Sequence, residues 1–365
     1  MRNGTGDMTE MLEELQRFVV LHSRAQQLDE AVLQQALNAI ESDHGDGPAT
    51  WAAVWSRLAD AAPSELDAMK LYNMARFPFV DGAARQLAHE RCVDIFRGWA
   101  EVRGIERWEF AEPKFAAYAA GLGKNRPVVI VTGGIVSIKE QWWRMLALAR
   151  WLGLCVVVTE MPQTGENRCD YGPSAQAMYA RLLKRLTGRA DVSRVHLVAF
   201  SFSGLLAIRA ALTDRRIRRI TTIGAPVHHY FTDPEWHAGL PLVTRATLAH
   251  MLKSQPADLF GRMREWAIAP QELQKLSIPV DYLASARDEV IPSAEYAFLQ
   301  ANLRHLNLLV LDDVHGSPNH SSLTAIWTAA CALRGTGRHA TWKAWLSNAL
   351  LRRRLRKTGA RMVPA

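Results

Sequence analysis

The sequence predicts an α/β fold, a mostly parallel, doubly wound sheet preceded by an all-helical block, and three observations carry that reading. Helical periodicity runs unbroken through residues 9–103, ahead of any strand signal. From residue 108 onward short apolar runs alternate with helical patterns, as in a parallel sheet covered on both faces. One of these runs, VHLVAFSFSGLLAIR, passes from strand to helix through a single corner at Ser201.

Within the helical block, Leu12, Leu15, Phe18 and Val19 recur at helical spacing, as do Leu28, Val32, Leu33, Leu37 and Ile40. A third helix over 51–61 ends before Pro63. The next begins at Ser64, an N-cap with Asp67 three residues on, and closes at Phe77-Pro78; a further helix covers 81–102. The aromatic residues here, including Trp51, Trp55 and Trp99, suit core packing.

Strands are expected over 108–112, 115–121, 128–132, the CVVVTEM segment, 195–200, 219–223, 280–284 and 307–311. A mainly helical interruption at about 226–276 falls where an open α/β sheet binds ligands, beyond the carboxyl ends of its strands. The expected division is a helical cap over 1–105, a core over 106–335, and a basic amphipathic tail over 336–365.

The net charge of +8 is concentrated in that tail. Nine Lys and Arg lie from Arg334 to the end with no acid among them, so the body carries about −1 (8 − 9). Nucleic-acid binding by the body is therefore not expected. Trp342, Trp345, Leu346, Ala349 and Leu350 form an apolar stripe beside RRRLRK. The stripe suits either a helix docked on its own chain or one that meets an acidic carrier protein or an anionic surface. No apolar run is long enough for a transmembrane span and the start lacks a signal-peptide pattern, so a cytoplasmic protein is expected. The four cysteines are scattered, arguing against a metal cluster or disulfide framework.

The corner at Ser201 has the logic of a nucleophile elbow, in which a strained serine between strand and helix needs small residues two positions to either side. Here these are Ala199 and Ser203, with Gly204 following, in place of the glycines of G-x-S-x-G. A buried strand running into a core helix, with locally bonded serines, is the plainer reading and stays open. A serine hydroxyl needs an imidazole base, and the imidazole needs a carboxylate. Asp288 follows one strand and His315 the next, which reproduces the order Ser, Asp, His of α/β-hydrolases. Glu289 competes with Asp288 but is expected to point elsewhere. His320 is the alternative base, and Asp312 and Asp313 are expected to be solvated loop acids. For an oxyanion, the amide of Phe202 and that of Gly134 or Ile135 are the candidate donors. His228, His229 and Tyr230 fall near the rim of the expected pocket, where ordinary packing explains them equally well.

Four segments, PVVIVTGGIVSIKE, VVVTEMPQTGE, LVAFSFSGLLAIRAA and IGAPVHHYF, resemble in order those of FrsA-like hydrolases within the α/β-hydrolase superfamily. That group includes 2,6-dihydroxypseudooxynicotine hydrolases and fungal polyketide-shortening hydrolases of pigment synthesis. KLYNMARFPF is similar to the helical region those proteins carry before the sheet. The resemblance implies a helical cap over a Ser-His-Asp site, a homodimer, no cofactor, and ketone or ester substrates, some cut at a carbon-carbon bond. Carried over, the nucleophile is Ser201, the acid Asp288, the base His315, and the oxyanion loop 133–135. Where members often read G-G-x-D-S, this chain has Gly133, Gly134, Ile135, Val136 and Ser137. Three functions remain open: a serine hydrolase of a small acyl or ketone substrate, a lyase in which His315 expels an acyloxy group, and a non-catalytic partner-binding pseudo-hydrolase.

Overall fold

The computed structural model describes residues 4–337, 341–358 and 360–363; Arg338, which the tail's charge count includes, lies outside the described residues. The chain opens with five helices, α1 (Gly4–Gln26), α2 (Glu30–Ala39), α3 (Trp51–Asp60), α4 (Glu65–Ala75) and α5 (Ala83–Val102). Their ends follow local chemistry. Asp29 accepts from the amides of Ala31 and Val32 at the start of α2. Ser64 accepts from Asp67 N at the start of α4, as its sequence predicts.

The sheet then forms from β1 (Glu106–Phe110), β2 (Phe115–Ala120), β3 (Gly123–Thr132), β4 (Cys155–Thr159), β5 (Ala190–Phe200), β6 (Ile217–Ile223), β7 (Val280–Ser285) and β8 (Leu306–Leu311). A last strand, β9 (Arg361–Val363), comes from the tail. The order is β1-β2-β4-β3-β5-β6-β7-β8-β9. Every neighbouring pair from β4 across to β8 is parallel, whereas β1, β2 and β9 pair antiparallel at the edges. The fully buried CVVVT of β4 shows why those runs are continuously apolar: the strands are covered on both faces.

Helices α6 (Trp143–Leu152), α7 (Ala177–Leu186), α8 (Ser203–Thr213), α14 (Ala294–Asn302) and α15 (Ser321–Gly335) cover the sheet. The stretch between β6 and β7 holds α9 (His229–Thr232), α10 (Pro234–Ala238), α11 (Leu242–Leu252), α12 (Leu259–Met263) and α13 (Pro270–Leu273).

The N-terminal helices have no core of their own. Trp51, Trp55, Phe77 and Phe96 belong to one apolar cluster with Tyr118, Val129, Val131, Val156 and Val158 of the sheet. Helix α1 reaches further still: Glu14 accepts from Leu242 N and Val243 N at the start of α11, at 2.9 and 2.6 Å.

The tail forms the expected helix docked on its own chain, but by a face other than the apolar stripe. It forms α16 (Trp342–Thr358) and then β9. The helix docks on its own chain through Ala344 and Leu351, both buried, and not through the apolar stripe. Trp342 and Trp345 are 62% and 67% exposed, so the stripe faces outward.

Candidate active site

Because β3, β5, β6, β7 and β8 run in one direction, the loops after all five open at the same edge of the sheet. Ser201 sits after β5 with φ at +56°, a left-handed conformation that costs a non-glycine residue about 1–3 kcal/mol. The corner is held by Ser201 N donating to Ile223 O at 2.7 Å and Gly204 N donating to Ser201 O at 2.8 Å. Ser203, where a glycine is usual, turns inward and donates to Thr132 O and Phe200 O at 3.0 and 2.9 Å. Its hydroxyl ties the elbow to the end of β3 and is fully buried.

The structure brings Ser201, His315 and Asp288 together. Ser201 Oγ lies 2.8 Å from His315 Nε2. His315 Nδ1 lies 2.9 Å from each oxygen of Asp288. Asp288 Oδ1 also accepts from Val290 N and Ile291 N at 2.9 and 2.8 Å, which fixes the carboxylate by its own loop. Glu289, the competing acid, instead engages the backbone: its Oε2 accepts from the N–H of His315 at 3.0 Å. Burial disfavours a charged His315. The charge and hydrogen bond of Asp288, aided by Glu289, outweigh that and raise its pKa above the ordinary 6.5.

The alternative base is engaged elsewhere. His320 Nδ1 lies 2.7 Å from Asp313 Oδ2. Asp313 also accepts from Val314 N and Asn319 Nδ2 and is fully buried, which corrects its expected role as a solvated acid. Burial follows from those partners, which satisfy the carboxylate without water. Asp312 is solvated, 82% exposed at its side chain.

Gly134 lies against the nucleophile, since a Cβ added there would sit 3.1 Å from Ser201 Cβ. Among the described residues, the backbone N–H groups of Gly134, Ile135 and Phe202 donate to no protein backbone acceptor. Phe202 directly follows Ser201 in sequence, and Ile135 directly follows Gly134, which packs against Ser201, so these amides are the candidate oxyanion donors. The loop carrying Ile135 is held from behind. Thr164 Oγ1 donates to Ile135 O at 3.1 Å, and Arg76, which caps the C-terminus of α4, donates to Val136 O. Beside it lies a buried charge cluster. Lys139 Nζ is within 2.9, 3.2 and 2.7 Å of carboxyl oxygens of Glu140, Glu160 and Glu166, and Arg107 makes a two-pronged contact with Glu166. Burial raises the Glu160 pKa to about 7, although Lys139 opposes the shift.

Tyr230 departs from its expected place at a rim: it is fully buried, edge-on to Phe202 at 5.1 Å behind the elbow. His228 stacks on Phe298 at 4.4 Å and its Nδ1 lies 3.0 Å from Ile268 O, while His229 meets Phe298 edge-on. His228 and His229 are half-buried. Two others went unread in the sequence. Glu295, buried on α14, accepts from Val227 N, His228 N and Tyr230 N and so fixes the loop after β6. Gly224 has φ at +58°, and a Cβ there would lie 2.9 Å from His315 Cε1 and 3.3 Å from Asp288 Oδ2. The signal was present in IGAP, a glycine directly after a strand end.

A family model described as Esterase FrsA-like matches residues 52–297. Esterase FrsA of Vibrio vulnificus (strain YJ016) is 24% identical over 279 residues, covering 67% of this chain and 66% of that protein. The chain thus spans just under two thirds of the length of such curated relatives. Among solved structures, AbyA5 Wildtype superposes with a TM-score of 0.88 at 43% identity, over 93% of this chain and 99% of that one. A 2,6-dihydroxy-pseudo-oxynicotine hydrolase gives a TM-score of 0.70 at 18% identity, over 87% of this chain and 96% of that one, a likeness of fold.

Proposed function

Given that the chain belongs to the FrsA-like esterase family, we propose that it is a serine hydrolase that cleaves a small carbonyl substrate through an acyl-enzyme on Ser201. The observation that carries this is the unbroken hydrogen-bond chain from Ser201 Oγ through His315 to Asp288. Ser201 Oγ attacks the carbonyl carbon while His315 Nε2 takes its proton. The oxygen becomes an anion that accepts from the amides of Ile135 and Phe202. As the carbonyl re-forms, the bond to the leaving group breaks and His315 returns the proton to it, to an alkoxide for an ester or to an enolate carbon for a β-diketone. Water, deprotonated by His315, then releases the acid and restores Ser201.

A second reading uses the same imidazole for elimination, since Asp288 on Nδ1 supports His315 as a base toward a carbon acid as well as toward Ser201. There the imidazole removes a proton next to a carbonyl, a carbon-carbon double bond forms, and an acyloxy group leaves as carboxylate. Solvent labelled with oxygen-18 separates the two, because hydrolysis puts a solvent oxygen into the acid and elimination does not.

A fluorophosphonate probe tests the nucleophile. The native chain and Ser203→Ala should label, and Ser201→Ala should not. Failure of the native protein to label would sink the hydrolase reading and favour a non-catalytic pseudo-hydrolase.

A further inference from the structure

We infer that the outward face of α16 is a docking surface for an anionic lipid bilayer. The helix has one face against its own chain, with Ala344 and Leu351 buried. The opposite arc, about 140° wide at roughly 100° per residue, carries Trp342, Trp345, Leu346 and Leu350, which are 62%, 67%, 38% and 41% exposed. Arg353 and Arg356 fall within the same arc and are exposed, with exposed Arg352 and Arg354 beside them. Along this face the first half is apolar and the second half basic.

The patch extends onto the neighbouring helix. Trp151 of α6, 49% exposed, meets Trp342 edge-on at 5.7 Å between ring centroids. Neither α6 nor α16 contains an acidic residue. A solvated helix does not need two tryptophans and two leucines turned to water. A helix lying at a membrane interface does, because its apolar side chains enter the acyl boundary while arginines meet headgroup phosphates.

Charge decides among occupants. A second copy of this chain would set the arginines of each helix against either the arginines or the apolar half of the other, with no acid on either helix to pair them. An acidic protein would satisfy the arginines but gives no reason for the apolar half. An anionic bilayer answers both with one surface. Such binding would seat the enzyme where apolar acyl compounds concentrate, and it stands independently of the reaction assigned to Ser201.

The test is co-sedimentation of the full chain with vesicles of phosphatidylcholine alone and of phosphatidylcholine mixed with phosphatidylglycerol. Binding should require phosphatidylglycerol and weaken in high salt. The double variant Arg353→Gln/Arg356→Gln should lose affinity by roughly fivefold per arginine. Trp342→Ser/Trp345→Ser should lose at least about tenfold, with thermal unfolding and fluorophosphonate labelling unchanged in both. Several outcomes would overturn the inference: no binding to either vesicle, equal binding to both, or a dimer in solution that Trp345→Glu dissociates. Preference for soluble poly-glutamate over vesicles, insensitive to the tryptophan variant, would assign the face to an acidic protein instead.

Discussion

Asp288 presents both carboxylate oxygens to His315 Nδ1 at 2.9 Å, while two amides of its own loop hold one of those oxygens in place. The carboxylate therefore fixes the tautomer that leaves Nε2 free to accept from Ser201.

The pH profile follows from this pair. A protonated His315 cannot take the serine proton, so activity should fall as pH drops through its folded pKa, which lies above 6.5. Asp288→Asn should move that acid limb to lower pH and reduce kcat by about 10^4-fold. A limb that stays in place would mean another group is titrating. For stability the sign is opposite: the pair's contribution is complete below the unfolded pKa and fades as pH rises through the raised one.

Gly224→Ala should impair catalysis without unfolding the protein. Its methyl would lie 2.9 Å from His315 Cε1 and 3.1 Å from Nδ1, at a φ of +58° that alanine resists. A displacement near 1 Å at the base costs on the order of 100-fold in rate. Native kcat in the purified variant would show that the loop yields and the ring does not.

Lys139→Met should destabilise the fold. The lysine is fully buried among Glu140, Glu160 and Glu166, and removing its charge leaves carboxylates facing one another with only Arg107, paired to Glu166, and the nearby charge of Arg76 among the described residues to oppose them. Breaking such a buried group costs about 3–5 kcal/mol. Urea unfolding reads it directly, and a change under about 1 kcal/mol would mean that the cluster is wet.

Thr164→Val should lower both stability and catalysis. It removes the donor to Ile135 O and leaves that buried carbonyl unpaired, costing about 1–3 kcal/mol. If the loop presents an oxyanion donor, kcat falls roughly tenfold or more while KM changes little. An equal rise in KM would instead place Thr164 in substrate binding.

The elements around Ser201 were legible because their signals are local. An apolar strand must end where small residues allow a sharp turn, and Asp288 and His315 are each the first candidate of their type beyond a strand. What escaped depends on distant partners. Asp313 has the sequence of a loop acid but is buried because His320 and Asn319 close over it. Glu295 looks like an ordinary helix-surface residue until the amides of residues 227–230 are brought to it. Strand β9 is only three residues long and pairs with a strand some fifty positions earlier, too short for alternation to show. The tail's apolar stripe was visible, yet periodicity shows that a face exists and not which way it turns.

Arg76 belongs to the N-terminal helices, and its guanidinium ends on the carbonyl of Val136, one residue past the amide assigned to the oxyanion. Chimaeras that exchange the first hundred residues with those of a relative would therefore alter the catalytic loop even if every junction were seamless. The two parts are coupled through that contact, and a library that recombines them freely should yield mostly inactive progeny unless position 76 and its carbonyl acceptor travel as a pair.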